Sequence, residues 1–157
     1  MIGRLEFITL LGGAAATWSL SARAQQGERM RRIGVLMHLA ADDPEGQARI
    51  GAFLQGQEWG WAVGRNVQIE YRWAAGDAER IGKYATELVA LAPDVILAAG
   101  GVVVAPLLQA TSTVPIVFAQ TPDPVGAGFV ASLARPGGNA TGFTIFEYGI
   151  REMARAA

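Results

Sequence analysis

From Arg32 onward, short β-branched runs alternate with helical patterns along the chain, the mark of a parallel α/β sheet. Residues 33–37 form an unbroken apolar run, as expected of a strand covered on both faces. Residues 66–73 alternate instead, with Val67, Ile69, Tyr71 and Trp73 on one face, which suits a strand nearer an edge. Residues 94–98 and 115–119 predict two more buried strands, and 141–146 a fifth. Between them, Asp77 is placed to cap a helix whose stripe is Ile81, Tyr84, Ala85, Leu88 and Ala92, stopped by Pro93. Val103 or Val104, Leu107, Leu108 and Thr111 outline the next helix. Val125, Phe129, Val130 and Leu133 predict a short one ended by Pro136-Gly137-Gly138. The predicted fold is α/β: an open parallel sheet with helices on both faces.

The helix after the first strand carries a defect. Ile50, Phe53 and Leu54 set a register that should continue at 57 and 58, yet those positions hold Gln57 and Glu58, and the large apolar groups come at Trp59 and Trp61. One residue inserted after Gly56 restores the stripe. A helix that ends at Gly56 is the other reading, and periodicity does not decide between them.

The N-terminus reads as an address. Arg4 supplies a positive start, residues 7–20 are apolar and rich in Gly and Ala, and Ala22-Arg23-Ala24 is a small-x-small cleavage site. The apolar stretch is shorter than the roughly 20 residues that span a bilayer. Residues 1–24 are therefore expected to be a signal peptide, cleaved after Ala24, which places the mature protein in the periplasm. Gly3-Arg4-Leu5-Glu6-Phe7-Ile8 resembles a twin-arginine signal, but Leu5 stands in the second arginine's place.

Composition narrows the chemistry. The 157 residues suffice for one compact domain. A net charge of −1 gives no long-range pull toward nucleic acid, so no nucleic-acid partner is expected. Arg29, Arg31 and Arg32 are the one basic cluster, read as solvating the new N-terminus. With no cysteine, thiolate catalysis and disulfides are excluded; with His38 the sole histidine, a histidine metal cluster has no material. No metal or cofactor is expected.

Several motifs carry candidate chemistry. Gly126-Ala127-Gly128-Phe129-Val130-Ala131 matches the spacing of a dinucleotide-binding turn, with Glu147 near the ribose-ligand distance, but it lies late and away from its strand. Asp42 and Asp43 resemble the paired acids of phosphate-accepting receiver domains, yet the third strand ends in Leu97-Ala98-Ala99-Gly100, without the phosphoacceptor. Asp42-Asp43-Pro44 reads better as a helix cap. Trp59, Trp61 and Trp73 suit ligand stacking or core packing. In an open parallel sheet, ligands collect beyond the carboxyl ends of the strands. Three such ends are small or polar here: residues 38–42, Gly100-Gly101, and Gln120-Thr121-Pro122-Asp123. They make a binding rim with no nucleophile–base pair, and so not an enzyme.

The stretch PDPVGAGFVASLARPGGNATGF, residues 122–143, resembles the periplasmic substrate-binding proteins of ABC importers of the tryptophan-binding-like group. Gly60-Trp61, Gly64-Arg65-Asn66-Val67, Pro93-Asp94-Val95-Ile96 and Thr113-Val114-Pro115-Ile116-Val117 extend the likeness, which runs from the leader to about Ile150. The resemblance implies the first lobe of a type I periplasmic-binding-protein fold, incomplete: residues 25–140 as that lobe, and 141–157 as a crossing segment and the start of a truncated second lobe. It implies ligand contacts from His38, Ala41, Asp42, Gly100, Gly101, Gln120, Thr121 and Asp123. Relatives often carry a hydroxyl residue after the middle-loop glycine, where Gly101 and Val102 offer none, and they have one more residue near Gly56. The implied function is capture of a small organic solute, with an amino acid a candidate, for an ABC permease in the membrane, a function that truncation is expected to impair. The alternative from composition and pattern is a small cytoplasmic flavodoxin-like or nucleotide-binding enzyme domain.

Overall fold

The computed structural model describes residues 30–55 and 60–145. The leader with its cleavage site, the register break at 56–59 and the residues from 146 onward lie outside the described residues. The chain runs β1 (Arg31–Met37), α1 (Pro44–Gln55), β2 (Val67–Trp73), α2 (Ala78–Ala90), β3 (Val95–Ala99), a 3-10 turn (Gly101–Val103), α3 (Val104–Ala110), β4 (Ile116–Thr121) and β5 (Ala140–Thr144). Five strands form one parallel sheet in the order β2-β1-β3-β4-β5. The alternating strand β2 is an edge, as its pattern requires.

Strand periodicity sends neighbours to opposite faces. Leu36, Ile96, Ala98, Ile116 and Phe118 bury one face beneath Ile81, Ala85 and Leu88 of α2 and Leu107 of α3. Val35, Met37 and Ala99 point the other way, where Ile50 and Phe53 of α1 cover them with Ile69, Tyr71 and Trp73 at the rim of the patch. Helices thus lie on both faces, as the pattern predicts.

Local chemistry sets the helix boundaries. Asp43 starts α1, its carboxylate accepting from the Glu45 and Gly46 amides at 2.8 and 3.1 Å, with Pro44 in the first turn, where no amide is needed. Asp77 starts α2 in the same way, accepting from Glu79 and Arg80 at 2.9 and 3.0 Å. The α2 stripe ends sooner than its spacing predicts. Ala92 is exposed in the left-handed region (φ +49), because the turn before Pro93 must reverse the chain.

Two sequence expectations are corrected. Residues 125–133 form no helix. The Phe129 amide bonds back to Pro124 at 2.9 Å and Ala131 bonds forward to Pro136, so the segment is a run of turns, with Val130 buried and Val125 and Leu133 exposed. The arginines beside β1 also do more than solvate. Arg31 pairs with Asp94 at 2.9 Å, while Arg32 donates from its backbone to Asp94 at 2.9 Å and from its side chain to Leu91 O at 2.5 Å. They staple the start of β1 to the α2–β3 connection.

The last strand is held by close approach. Gly142 lies so near β4 that a Cβ there would sit 2.0 Å from Phe118 O, and its φ of +158 is one that side chains avoid. Asn139 donates to Thr111 O and Val114 O at 3.1 and 2.9 Å, fixing where β5 begins. No helix among the described residues is long and apolar enough to cross a membrane.

Candidate ligand-binding site

Because the strands run parallel, their carboxyl ends share one edge, and the loops leaving β1, β2, β3 and β4 meet there. Hydrogen bonds lace the loops together. The His38 amide and ring Nδ1 reach Ala99 O at 3.4 and 2.8 Å, and a carbonyl can only accept, so Nδ1 carries a proton. Gly76 N donates to His38 O at 2.6 Å, Ala75 N to Leu39 O at 3.1 Å and Gly100 N to Ala119 O at 3.1 Å. Gly100 is required twice over. Its φ is +113, and a Cβ would stand 2.4 Å from His38 Nδ1.

The tip of β4 is strained. Gln120 and Asp123 adopt φ of +57 and +43, left-handed values that non-glycine residues rarely take, and the β4–β5 ladder is irregular between Phe118 and Thr121. That twist turns polar groups inward. Thr121 is fully buried, and among the described residues neither its hydroxyl nor the buried Gln120 Oε1 has a partner. Buried polar atoms are nearly always bonded, so two orphans on adjacent residues at a strand tip call for a partner from outside.

The structure brings together five of the eight residues expected at the site. His38 lies against Gly100, Gly101 against Thr121 and Pro122, and Gln120 stands beside them. A Cβ at Gly101 would approach Pro122 Cδ to 3.3 Å, so the β3 and β4 loops touch. Ala41 and Asp42 are exposed, with Ala41 O accepting from Gln47 at 2.6 Å. Asp123 closes the following turn by accepting from Gly126 N at 2.6 Å. That turn occupies the would-be dinucleotide motif, which lacks the strand-to-helix entry a pyrophosphate needs. Trp73 packs on the α1 face, its ring against Gly46 beside Leu39 of the β1 loop, and Trp61 is exposed at the opposite end of the sheet, away from the rim. Among the described residues no three His, Asp or Glu side chains stand close enough to hold a metal ion.

Sequence reasoning missed two contributors. Ala75-Gly76, both at positive φ, bring the β2 loop against His38, and the Gly76-Asp77 turn was a readable signal for it. Arg49 gave no signal at all, since its spacing from Glu45 reads as an ordinary surface pair. It lines a groove of about 450 Å³ behind the rim, with Phe53, Leu97, Val117, Gln120 and Phe143. One guanidinium nitrogen meets Glu45, while its Nε and Nη1 are buried without partners among the described residues. A larger hollow of about 600 Å³ lies at the amino edge, between Ile33, Phe53, Trp61 and Val95. We do not place the site there, because its charged lining residues, Arg31 and Asp94, already satisfy one another.

Known proteins match this arrangement. The family model for ABC transporter substrate-binding proteins matches residues 35–148. A tyrosine-binding protein of Clostridioides difficile is 29% identical over 115 residues, covering 73% of this chain and 33% of that protein. Among solved structures, an ABC domain in complex with L-Trp from Streptococcus pneumoniae superposes with a TM-score of 0.67 at 28% identity, covering 73% of this chain and 38% of the other. A ligand-free, open substrate-binding protein with adhesive properties from Clostridium difficile gives 0.70 at 26% identity, covering 81% and 43%. The chain spans about a third of the curated relative's length and about two fifths of the solved chains. With residues 35–148 matched, most of the described chain, the chain belongs to the ABC transporter substrate-binding protein family.

Proposed function

We propose that the rim at the carboxyl edge captures a small amino acid, aromatic ones foremost, for delivery to an ABC permease in the membrane. The observation that carries this reading is the pair of buried orphans, Gln120 Oε1 and Thr121 Oγ1, on a strained strand tip that meets the β1 and β3 loops. The tyrosine and L-Trp named for two relatives support the ligand class. In this reading residues 25–140 are the first lobe of a two-lobed binder, and the chain from residue 141 leads toward a second. The leader ending at Ala24 sends the protein to the periplasm, where the mature chain begins at Gln25.

A two-lobed binder gains affinity by closing over its ligand, which removes water from both sides. One lobe supplies about half the contacts, and losing about 4 kcal/mol weakens binding roughly a thousandfold. The 157-residue chain is therefore expected to bind L-Trp and L-Tyr in the millimolar range, through the rim. Calorimetric titration against these amino acids and against small carboxylates checks it. Preference for the carboxylates, or no binding to either amino acid, would remove the amino-acid reading. Micromolar binding by the monomer would remove the two-lobe argument.

A further inference from the structure

We propose that His38 is a fixed hydrogen-bond acceptor for the ammonium group of the ligand, an assignment that rests on the amino-acid reading above. The geometry supplies the acceptor. Nδ1 lies 2.8 Å from Ala99 O, and since a carbonyl only accepts, the neutral ring must carry its proton on Nδ1 and leave the Nε2 lone pair free. Nε2 makes no hydrogen bond among the described residues and is not among their buried unpaired atoms. On the half-buried His38, Nε2 is therefore not sealed in the interior.

The ring cannot easily turn to present anything else. Gly100, at φ +113, leaves the space beside the ring that any Cβ would fill, since a Cβ would come within 2.4 Å of Nδ1. The backbone of His38 is held on both sides, its amide by Ala99 O at 3.4 Å and its carbonyl by Gly76 N at 2.6 Å. Three loops thus fix one imidazole in one tautomer.

Charge decides which end of an amino acid this acceptor meets. The loop segments at the rim, residues 38–43, 74–77, 100–103 and 120–123, contain no lysine or arginine. Their ionisable groups besides His38 are Asp42, Asp43, Asp77 and Asp123, and their orphan Gln120 Oε1 is also an acceptor. Of the nearby cations, Arg80 pairs with Asp77 at 3.6 Å, and Arg49 lies behind the rim in the groove that Gln120 shares. The acceptors at His38 and Gln120, with Asp42 exposed beside them, fit an ammonium.

His38 is the sole histidine, so its ring resonances in the 157-residue protein need no assignment. Nitrogen NMR at a pH where the ring is neutral should show a protonated Nδ1 and a bare Nε2, and the opposite tautomer would overturn the proposal before any ligand is added. L-Trp is then titrated in. The expected result is a shift of Nε2 together with the amides of Gly100, Gln120 and Thr121. Amide shifts without an Nε2 shift would overturn the role of His38 and leave the amino-acid reading standing. No shift anywhere with L-Trp or L-Tyr would overturn both.

Variants separate the two ring nitrogens. His38→Asn keeps a donor near the Nδ1 position and removes the Nε2 acceptor, so L-Trp binding should weaken about tenfold. Binding of 3-indolepropionate, which lacks the ammonium, should not change. Equal loss for both compounds would mean that His38 shapes the loop and accepts nothing from the ligand.

Discussion

The two faces of the sheet are built from the same strands, yet they end in different states. On the α2–α3 face, Leu36, Ile96, Ala98, Ile116 and Phe118 are all wholly buried. On the α1 face, Val35 and Met37 are buried, but Leu97, Val117 and Ala119 are only half covered, and Phe143 is 75% exposed. The difference is not one of hydrophobicity, since Val117 and Phe118 are neighbours in one apolar strand. It is one of cover: among the described residues, two helices serve one face, and a single helix serves β1 and β2 on the other. A parallel sheet is normally clothed on both sides. Here β3, β4 and β5 present an apolar surface beside an arginine with unpaired donors, next to the rim proposed to bind ligand.

The sharpest way to break this comparison is to truncate adjacent residues of β4. Phe118→Ala removes a fully buried ring beneath α3 and should cost about 3–5 kcal/mol. That is a large share of the roughly 5–15 kcal/mol that holds a domain together, so much of the protein should be unfolded without ligand. Val117→Ala, one residue away on the half-covered face, should cost about 1 kcal/mol or less, because its methyl groups already meet solvent. Denaturant midpoints give both numbers, and equal losses would mean that the α1 face is as well packed as the other.

How much of this was legible beforehand follows the same division. The strands and the caps at Asp43 and Asp77 were readable because burial and amide satisfaction act locally, on residues adjacent in sequence. The rim was readable because parallel topology alone puts the ends of β1, β3 and β4 on one edge. The false helix at 125–133 came from reading apolar spacing as a stripe, when Pro124 and Pro136 accept the amides that a helix needs. Arg49 was invisible for a different reason. Its loneliness depends on what lies across a groove, on Leu97, Val117 and Gln120, and no local spacing encodes that. The fate of a residue on a covered face is set by its own pattern, and on an uncovered face by distant neighbours.

Arg49 offers a smaller test of the same contrast. Removing it forfeits an exposed i,i+4 pair with Glu45, worth about 0.3–0.5 kcal/mol. It also removes two buried donors without partners, which cost about 1–3 kcal/mol when left unsatisfied. The second quantity is larger, and Met fills similar volume with no polar atom. Arg49→Met should therefore raise the unfolding free energy by about 1 kcal/mol, read as a later denaturant midpoint. A loss of stability would show that the guanidinium already has a partner across the groove in solution, and the α1 face would then be more complete than it looks.

The smallest expected effect concerns Tyr71, on the edge strand where α1 gives its thinnest cover. Burial against the α1-side cluster raises its phenol above the ordinary value of 10.0, because the ionised form loses hydration there. The sign follows from linkage. Below the unfolded value the phenol is neutral in both states and its contribution is fully present; as pH rises past about 10 the unfolded chain ionises first, and stability falls until the folded phenol ionises too. Stability measured from pH 9 to 11 should therefore decline, and Tyr71→Phe should lessen the decline without changing stability near neutrality. If Tyr71→Phe left the alkaline decline unchanged, the α1 face would not be desolvating this tyrosine, and the cover over β2 would have to be regarded as wetter than its packing implies.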